Sequence, residues 1–224
     1  MAESASVSLA QRIGDVKRFY EVLDGLETRV GGKRQLSSCS GRMRWPERGV
    51  YFFFEAGEVR TDSGAGPRVV RVGTHGLKSG SKSTLWKRLR QHRGTVSGRH
   101  PGSGNHRGSV FRLHVGTALL ARGEWPDEIG RTWGTGSSAR REVREPEVPL
   151  ERAVSAYIGE MPFLWVGVDD PLGRESDRGY IERNAIALLS NIEELAVDPP
   201  SEDWLGRWAA AEAIRMSGLW NVNH

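Results

Sequence analysis

Gly49-Val50-Tyr51-Phe52-Phe53-Phe54, followed by Val69-Val70-Arg71-Val72-Gly73, decides the fold. The first run has strand length and is rich in aromatics; the second is β-branched. The connection from 57 to 67 is Gly-rich, so the two runs read as a hairpin. A third apolar run, Phe163-Leu164-Trp165-Val166-Gly167-Val168, is stopped by Asp169-Asp170-Pro171.

Helical periodicity surrounds these strands. Leu9, Ile13, Val16, Phe19, Tyr20 and Leu23 recur at helical spacing and predict a helix over 8–26. A second helix is expected over 83–92, capped by Ser83 and stopped by Gly94. A third covers 179–190, and a last one starts after Ser201 as its cap, with Trp204, Leu205 and Trp208. Residues 33–48 and 94–108 read as loops. Residues 109–121 read as a helix or, over 110–115, as a strand. Residues 123–150 are turn-rich, and 151–158 could be a short helix. Strands and helices in this order make an α+β chain.

Composition bounds the function. The 224 residues are 38% hydrophobic and 27% charged, which suits a folded core and excludes wholesale disorder. No apolar run reaches membrane-spanning length, and no signal-peptide core is seen at the start. A single cysteine, Cys39, excludes an intramolecular disulfide framework and any multi-cysteine zinc site, so a reducing, cytoplasmic setting is expected.

The charge is segregated. Between Ser63 and Gly123 there is no Asp or Glu but 12 Lys and Arg, leaving 20 basic and 28 acidic residues elsewhere. Such a block reads as a polyanion-binding face, with nucleic acid the first candidate, or else as a solvated basic surface.

Common motifs are missing. Ser81 separates Gly80 from Lys82, which breaks phosphate-loop spacing. The Gly102–Gly108 stretch misses dinucleotide spacing by one residue. The histidines show no zinc pattern, and no serine sits in a nucleophile elbow.

Two helices carry the better candidates. In 83–92, Leu85, Trp86 and Leu89 form the buried stripe, and Arg88 and His92 lie four residues apart on its flank. That pair could hold a phosphate, since the arginine fork suits phosphate oxygens, or it could be part of an exposed basic face. In 179–190, Glu182 falls within the apolar sector of Ile181, Ala185, Ile186, Leu188 and Leu189. A carboxylate there either binds a metal or a partner, or favours the helix N-terminus. Tyr51 alone reads equally as a core aromatic.

Taken in order, these pieces resemble the GIY-YIG nuclease superfamily. Gly49-Val50-Tyr51 matches the first motif, and Arg71-Val72-Gly73 stands where the second belongs. The stretch from Leu85 to His92 is similar to the family's first helix, with Arg88 and His92 in its arginine and histidine positions. Ile181-Glu182-Arg183-Asn184 resembles the segment carrying the metal-binding glutamate. The matched parts cover about 49–93 and 163–192. The resemblance implies a small three-stranded antiparallel sheet flanked by helices. It places the core at 46–194 with an insertion at about 94–160, and helical extensions at 1–45 and 195–224.

It also implies metal-dependent cleavage of DNA phosphodiesters. Glu182 would hold Mg²⁺ or Mn²⁺. Arg88 would stabilise charge on the phosphoryl oxygens. Tyr51, or a water it orients, would help deprotonate the attacking water, with His92 sharing that role or binding phosphate. The second motif normally begins with tyrosine. Arg71 stands there instead, as in restriction-type members, and a cation beside Tyr51 would favour its phenolate. The family's late asparagine is replaced by Glu194, with Asn191 three residues early. Phosphate contacts are expected from Lys78, Lys82, Lys87, Arg90 and Arg93, and base contacts from Asn105, His106 and Arg107. His75, in the polar patch after the second strand, is a further candidate. DNA is the expected partner, without membrane, and a homodimer is one expected arrangement for double-strand cleavage.

The leading reading is therefore a restriction- or defence-like endonuclease. A catalytically weakened nucleic-acid-binding module on the same fold is the alternative. A third reading, in which exposed tryptophans bind a protein partner, competes with the eight tryptophans being core.

Overall fold

The computed structural model describes residues 2–173, 175–192 and 195–223, with side chains from residue 9 onward. Position 194 lies outside the described residues. Four strands are formed: β1 (Arg34–Gln35), β2 (Gly49–Val59), β3 (Pro67–Gly73) and β4 (Pro162–Gly167). The helices are α1 (Ala2–Val30), α2 (Leu85–Arg93), α3 (Val110–Arg122), α4 (Asp127–Thr132), α5 (Arg141–Arg144), α6 (Val148–Glu160), α7 (Asp177–Leu189) and α8 (Glu212–Ser217).

The sheet order is β1-β4-β2-β3, antiparallel throughout. Four strands replace the three expected. The extra one, β1, pairs Arg34 with Phe163 and Gln35 with Pro162. Two polar residues carry no apolar alternation, so this strand had no signal within the 33–48 loop reading.

β2 is central, and both of its faces are covered. Val50, Phe52 and Phe54 pack with Val16, Tyr20 and Leu23 of α1 and Ala185, Ile186 and Leu189 of α7. Tyr51 and Phe53 point the other way, toward Leu85 and Leu89 of α2, Phe111 of α3 and Leu150 of α6. This explains the unbroken apolar run: a strand covered on both sides has no polar face to alternate with. The hairpin is irregular after Phe53, where the register with β3 shifts. There the Tyr20 hydroxyl accepts the Val69 amide at 2.9 Å.

Several local expectations are corrected. Thr84, not Ser83, caps α2, its hydroxyl accepting the Lys87 amide at 3.2 Å. The 109–121 stretch is a helix, capped by Ser109. The 151–158 helix is longer and starts at Val148. Ser201 caps nothing. Its hydroxyl is taken by Glu58, and the segment around Trp204 is only a 3-10 turn over Leu205–Trp208. Trp204 and Trp220 are fully buried, while Trp208 is the exposed tryptophan among those described, so the tryptophans are mostly core.

The chain beyond 195 folds back over the sheet. The Trp220 amide donates to Val70 at 2.7 Å, and the Asn221 side chain both accepts from and donates to the Val72 backbone. The free edge of β3 is thereby covered. Among the described residues, no helix is long and apolar enough to cross a membrane.

Candidate active site

Tyr51 leaves β2 toward α2 and ends 2.8 Å from Nε2 of His92. His92 shares the buried stripe of α2 with Leu85 and Leu89, which sets its ring against the sheet. Its Nδ1 lies 2.8 Å from the Ser109 hydroxyl at the start of α3. None of this pair's surface is exposed. Burial, together with the Arg88, Arg71 and Arg112 charges, holds His92 well below the usual histidine range.

Gly73 closes the other side of Tyr51. The two residues are cross-strand partners, and the phenol end occupies the space where a side chain at 73 would begin. A glycine is therefore required here for room, not for backbone freedom.

Arg71, two residues earlier on β3, is 8% exposed. Its Nη1 donates to the Trp220 carbonyl at 2.5 Å, and its guanidinium lies over the Phe111 ring at 4.6 Å. Burial lowers its pKa, opposed by Tyr51 and Glu182 within its field. The expected proximity of Arg71 to Tyr51 is therefore realised.

Glu182 comes from the opposite layer. It sits near the start of α7 and reaches the end of β3, where its Oε1 accepts the Thr74 amide at 3.0 Å. Thr74 is itself tied down by its hydroxyl, which donates to the Gly49 carbonyl at 2.8 Å. Burial pushes the Glu182 carboxyl up, and the Thr74 amide with Arg71, Arg88 and Arg183 only partly reverses this. A half-buried carboxylate of this kind gains from a cation.

Arg88 is half-buried on α2. Its Nη1 donates to Gln91 at 3.1 Å and to the Gly108 carbonyl at 3.4 Å, and among the described residues it forms no ion pair with a carboxylate. Its charge reaches Glu182, His92 and His75. Tyr51, Arg71, Arg88, His92 and Glu182 thus come together from two strands, β2 and β3, and two helices, α2 and α7, of opposite layers.

The other expected contacts divide. Lys78, Lys82, Lys87, Arg90 and Asn105 are exposed. Arg93 donates to the Cys39 carbonyl and stacks on Trp86, with a groove of about 540 Å³ beside it lined by Arg90, Gln91, Thr95 and Asn105. His106 and Arg107 turn inward instead of toward DNA. His106 donates to Glu151 from its backbone at 2.6 Å and stacks on Trp133, and Arg107 forks onto Glu147 at 2.6 and 2.8 Å. Asn191 has a structural role instead: its side-chain Oδ1 accepts the Val197 amide at 3.0 Å and Arg12 Nη2 at 3.2 Å. His75 is 5% exposed, with neither ring nitrogen hydrogen-bonded among the described residues. Burial and the Arg178 charge push it down to about 4.

The basic block is thus less free than its sequence suggests. Arg68, Arg107 and Arg112 form buried pairs with Glu58, Glu147 and Glu151. Arg112 also donates to the His92 carbonyl at 2.9 Å, which braces the end of α2. Burial alone would raise Glu151, but the His106 and Arg112 hydrogen bonds outweigh it and hold the carboxyl low. Ser109, Thr74 and the Arg112–Glu151 pair carry no motif, and only three-dimensional contact reveals them.

No group of three or more metal-ligating side chains occurs among the described residues. A lone carboxylate such as Glu182, whose second oxygen accepts no hydrogen bond among the described residues, still fits Mg²⁺, which keeps water ligands and shares substrate phosphates.

A family model described as a GIY-YIG domain matches residues 10–224. No curated protein and no solved structure gives a match.

Proposed function

The chain belongs to the GIY-YIG domain family, a family of nucleases, and from that premise we propose a metal-dependent endodeoxyribonuclease that hydrolyses DNA phosphodiester bonds. The observation that carries this reading is the convergence of Tyr51, His92, Arg71, Arg88 and Glu182 at one end of the sheet. A core aromatic and a stray helix carboxylate would have no reason to share an electrostatic field with two arginines.

Each residue has a role that its surroundings support. Arg88, without an ion-pair partner among the described residues, binds the phosphoryl oxygens and stabilises the charge that develops on them. Glu182 would hold Mg²⁺ or Mn²⁺, which supplies Lewis-acid polarisation of the phosphate and a more acidic water. Thr74 orients that carboxylate through its amide. Tyr51 and His92 form the acid–base pair, with Arg71 supplying a fixed positive charge. Because the pair is enclosed, one hydrogen-bonded water between the Tyr51 oxygen and the phosphate is the shortest path for the proton.

Lys78, Lys82, Lys87, Arg90 and Arg93 grip flanking phosphates, which gives affinity and register without sequence choice. Asn105 is the base-reading candidate left in its loop. The basic residue in the second motif favours a restriction- or defence-like role, acting in the cytoplasm. Residues 94–160 and the two ends of the chain supply target choice or a homodimer contact.

Supercoiled plasmid tests the proposal, incubated with Mg²⁺ or with chelator, beside Glu182→Ala and Arg88→Ala. Metal-dependent nicking by the wild type alone is expected. Binding without nicking above the two variants, on duplex, branched and single-stranded DNA, would leave the weakened nucleic-acid-binding module instead.

A further inference from the structure

The groove of about 540 Å³ beside Arg93 starts at the candidate active site and continues beyond it. Gln91 and Gly108, the two groups that hold the Arg88 guanidinium, line its near end. Thr95, Gly104 and Asn105 line both this groove and a second hollow of about 410 Å³, which lies within the 94–160 insertion. The shared floor is pinned: the Thr95 amide donates to the Ser103 carbonyl at 2.6 Å, and the Gly102 amide donates back to the Thr95 carbonyl at 2.9 Å.

Charge is sorted along this path. Glu147 and Glu151, in the wall of the second hollow, are buried and already matched by Arg107 and Arg112. Arg90 at the near end and Arg144 at the far end are exposed, and they form no ion pair among the described residues. Arg99, His100 and Arg141 converge instead on one carboxylate, Glu145, at 3.3, 2.9 and 2.9 Å. The Arg141 hydrogen bond, with Arg99 and His100, holds that carboxyl below its usual range. Positive charge is therefore in excess along the path, and exposed pairs such as those on Glu145 hold each other only weakly. Guanidinium groups bind carboxylate and phosphate oxygens alike, so a phosphate can take the place of Glu145.

We propose that this path is the bed of the DNA backbone beyond the cleavage site: Arg90 takes a phosphate beside the scissile one, Arg99, Arg141 and Arg144 take phosphates further along, and Glu145 stands in for the far phosphate until DNA displaces it. The insertion thereby acts as a phosphate clamp, and the identity of its partner rests on the nuclease reading above. Such contacts add affinity and fix register without choosing a sequence.

Fluorescence anisotropy with labelled duplexes of unrelated sequence, in chelator so that nothing is cut, tests the proposal over a salt series. Arg141→Gln/Arg144→Gln should weaken binding to every duplex alike. It should also flatten the plot of log Kd against log salt by about 2, since each phosphate contact contributes about 0.9. Glu145→Gln should bind more tightly than the wild type. Arg18→Gln/Arg29→Gln and Glu21→Gln make the same changes of net charge at exposed positions of α1, which covers the opposite face of the sheet, and should stay close to the wild type. Arg141 and Arg144 are exposed, so their variants keep the core intact. Arginine variants with the wild-type slope, or a Glu145→Gln protein that binds no more tightly than Glu21→Gln, overturn the proposal. Plasmid nicking with Mg²⁺ separates it from the nuclease reading. A wild type that binds but does not nick removes that reading and leaves the groove to the binding data, whereas nicking with unchanged slopes in the arginine variants removes the groove alone. A wild type that binds none of the duplexes overturns both.

Discussion

Replacing Gly73 by alanine asks whether Tyr51 is held where the structure puts it. A Cβ at 73 would stand 2.6 Å from Tyr51 Cε2 and closer still to Cζ and Oη. Carbon atoms sit at about 3.5 Å or more, so the phenol end must retreat by about 1 Å. It has little room, since Tyr51 is fully buried and packs edge-on to Phe53 and His92, with ring centroids 5.6 Å from each. Overpacking of this kind costs about 1–3 kcal/mol, and losing the bond to His92 adds about 1 kcal/mol. For a chain of this size the combined loss lowers Tm by about 4–16 °C. A shift of about 1 Å in an acid–base group also costs about 100-fold in rate. Thermal unfolding and plasmid nicking, measured side by side, read both effects. Gly14→Ala serves as the control, because a Cβ there meets nothing within 4 Å and the site lies in α1. A Gly73→Ala protein with unchanged Tm and unchanged nicking would refute the contact and the geometry built on it.

Glu182→Gln should abolish metal-dependent nicking while Tm holds or rises, because a neutral amide relieves the burial that pushes this carboxyl up; a clear fall in Tm would mean the carboxylate is structural. Arg71→Ala should shift the basic limb of the nicking pH profile, and an unchanged profile removes Arg71 as the activator of Tyr51. Stability should decline as pH falls from about 6.5 toward about 4. His75 and His92 are held below the ordinary histidine value of about 6.5, so the unfolded chain takes up protons that the folded chain refuses. Urea midpoints at several pH values check this, and His75→Gln should flatten the slope. Arg112→Met should cost about 3–5 kcal/mol by stranding Glu151 in the interior, whereas Asp127→Asn, in a pair exposed at 78% and 91%, should change chemical-denaturation stability by less than about 0.5 kcal/mol.

What the sequence reveals follows from how each feature signals. β2, β3 and β4 announce themselves through apolar runs, and α2 and α7 through periodicity, so Tyr51, Arg71, Arg88, His92 and Glu182 could be placed on them. β1 is two polar residues long and has no pattern to detect. The basic block misleads because sequence patterning treats every arginine as a surface charge. Glu58, Glu147 and Glu151, which neutralise three of its members, lie outside it in the chain. His106 and Arg107 were open to the same error: a loop position says nothing about which way a side chain turns. Ser109 is one serine among many until α3 packs beside α2.

The hold on Arg71 has a consequence for when the site can exist. The Trp220 carbonyl that seats this guanidinium lies 149 residues further along the chain. During synthesis, the hairpin and α2 can form with Tyr51 and His92 already in contact. The arginine beside them stays unseated, and the edge of β3 stays open, until the stretch near residue 220 has left the ribosome. Seating Arg71 is thus a later step than pairing the hairpin, so a polypeptide still being translated carries that part of the fold before it carries a finished site.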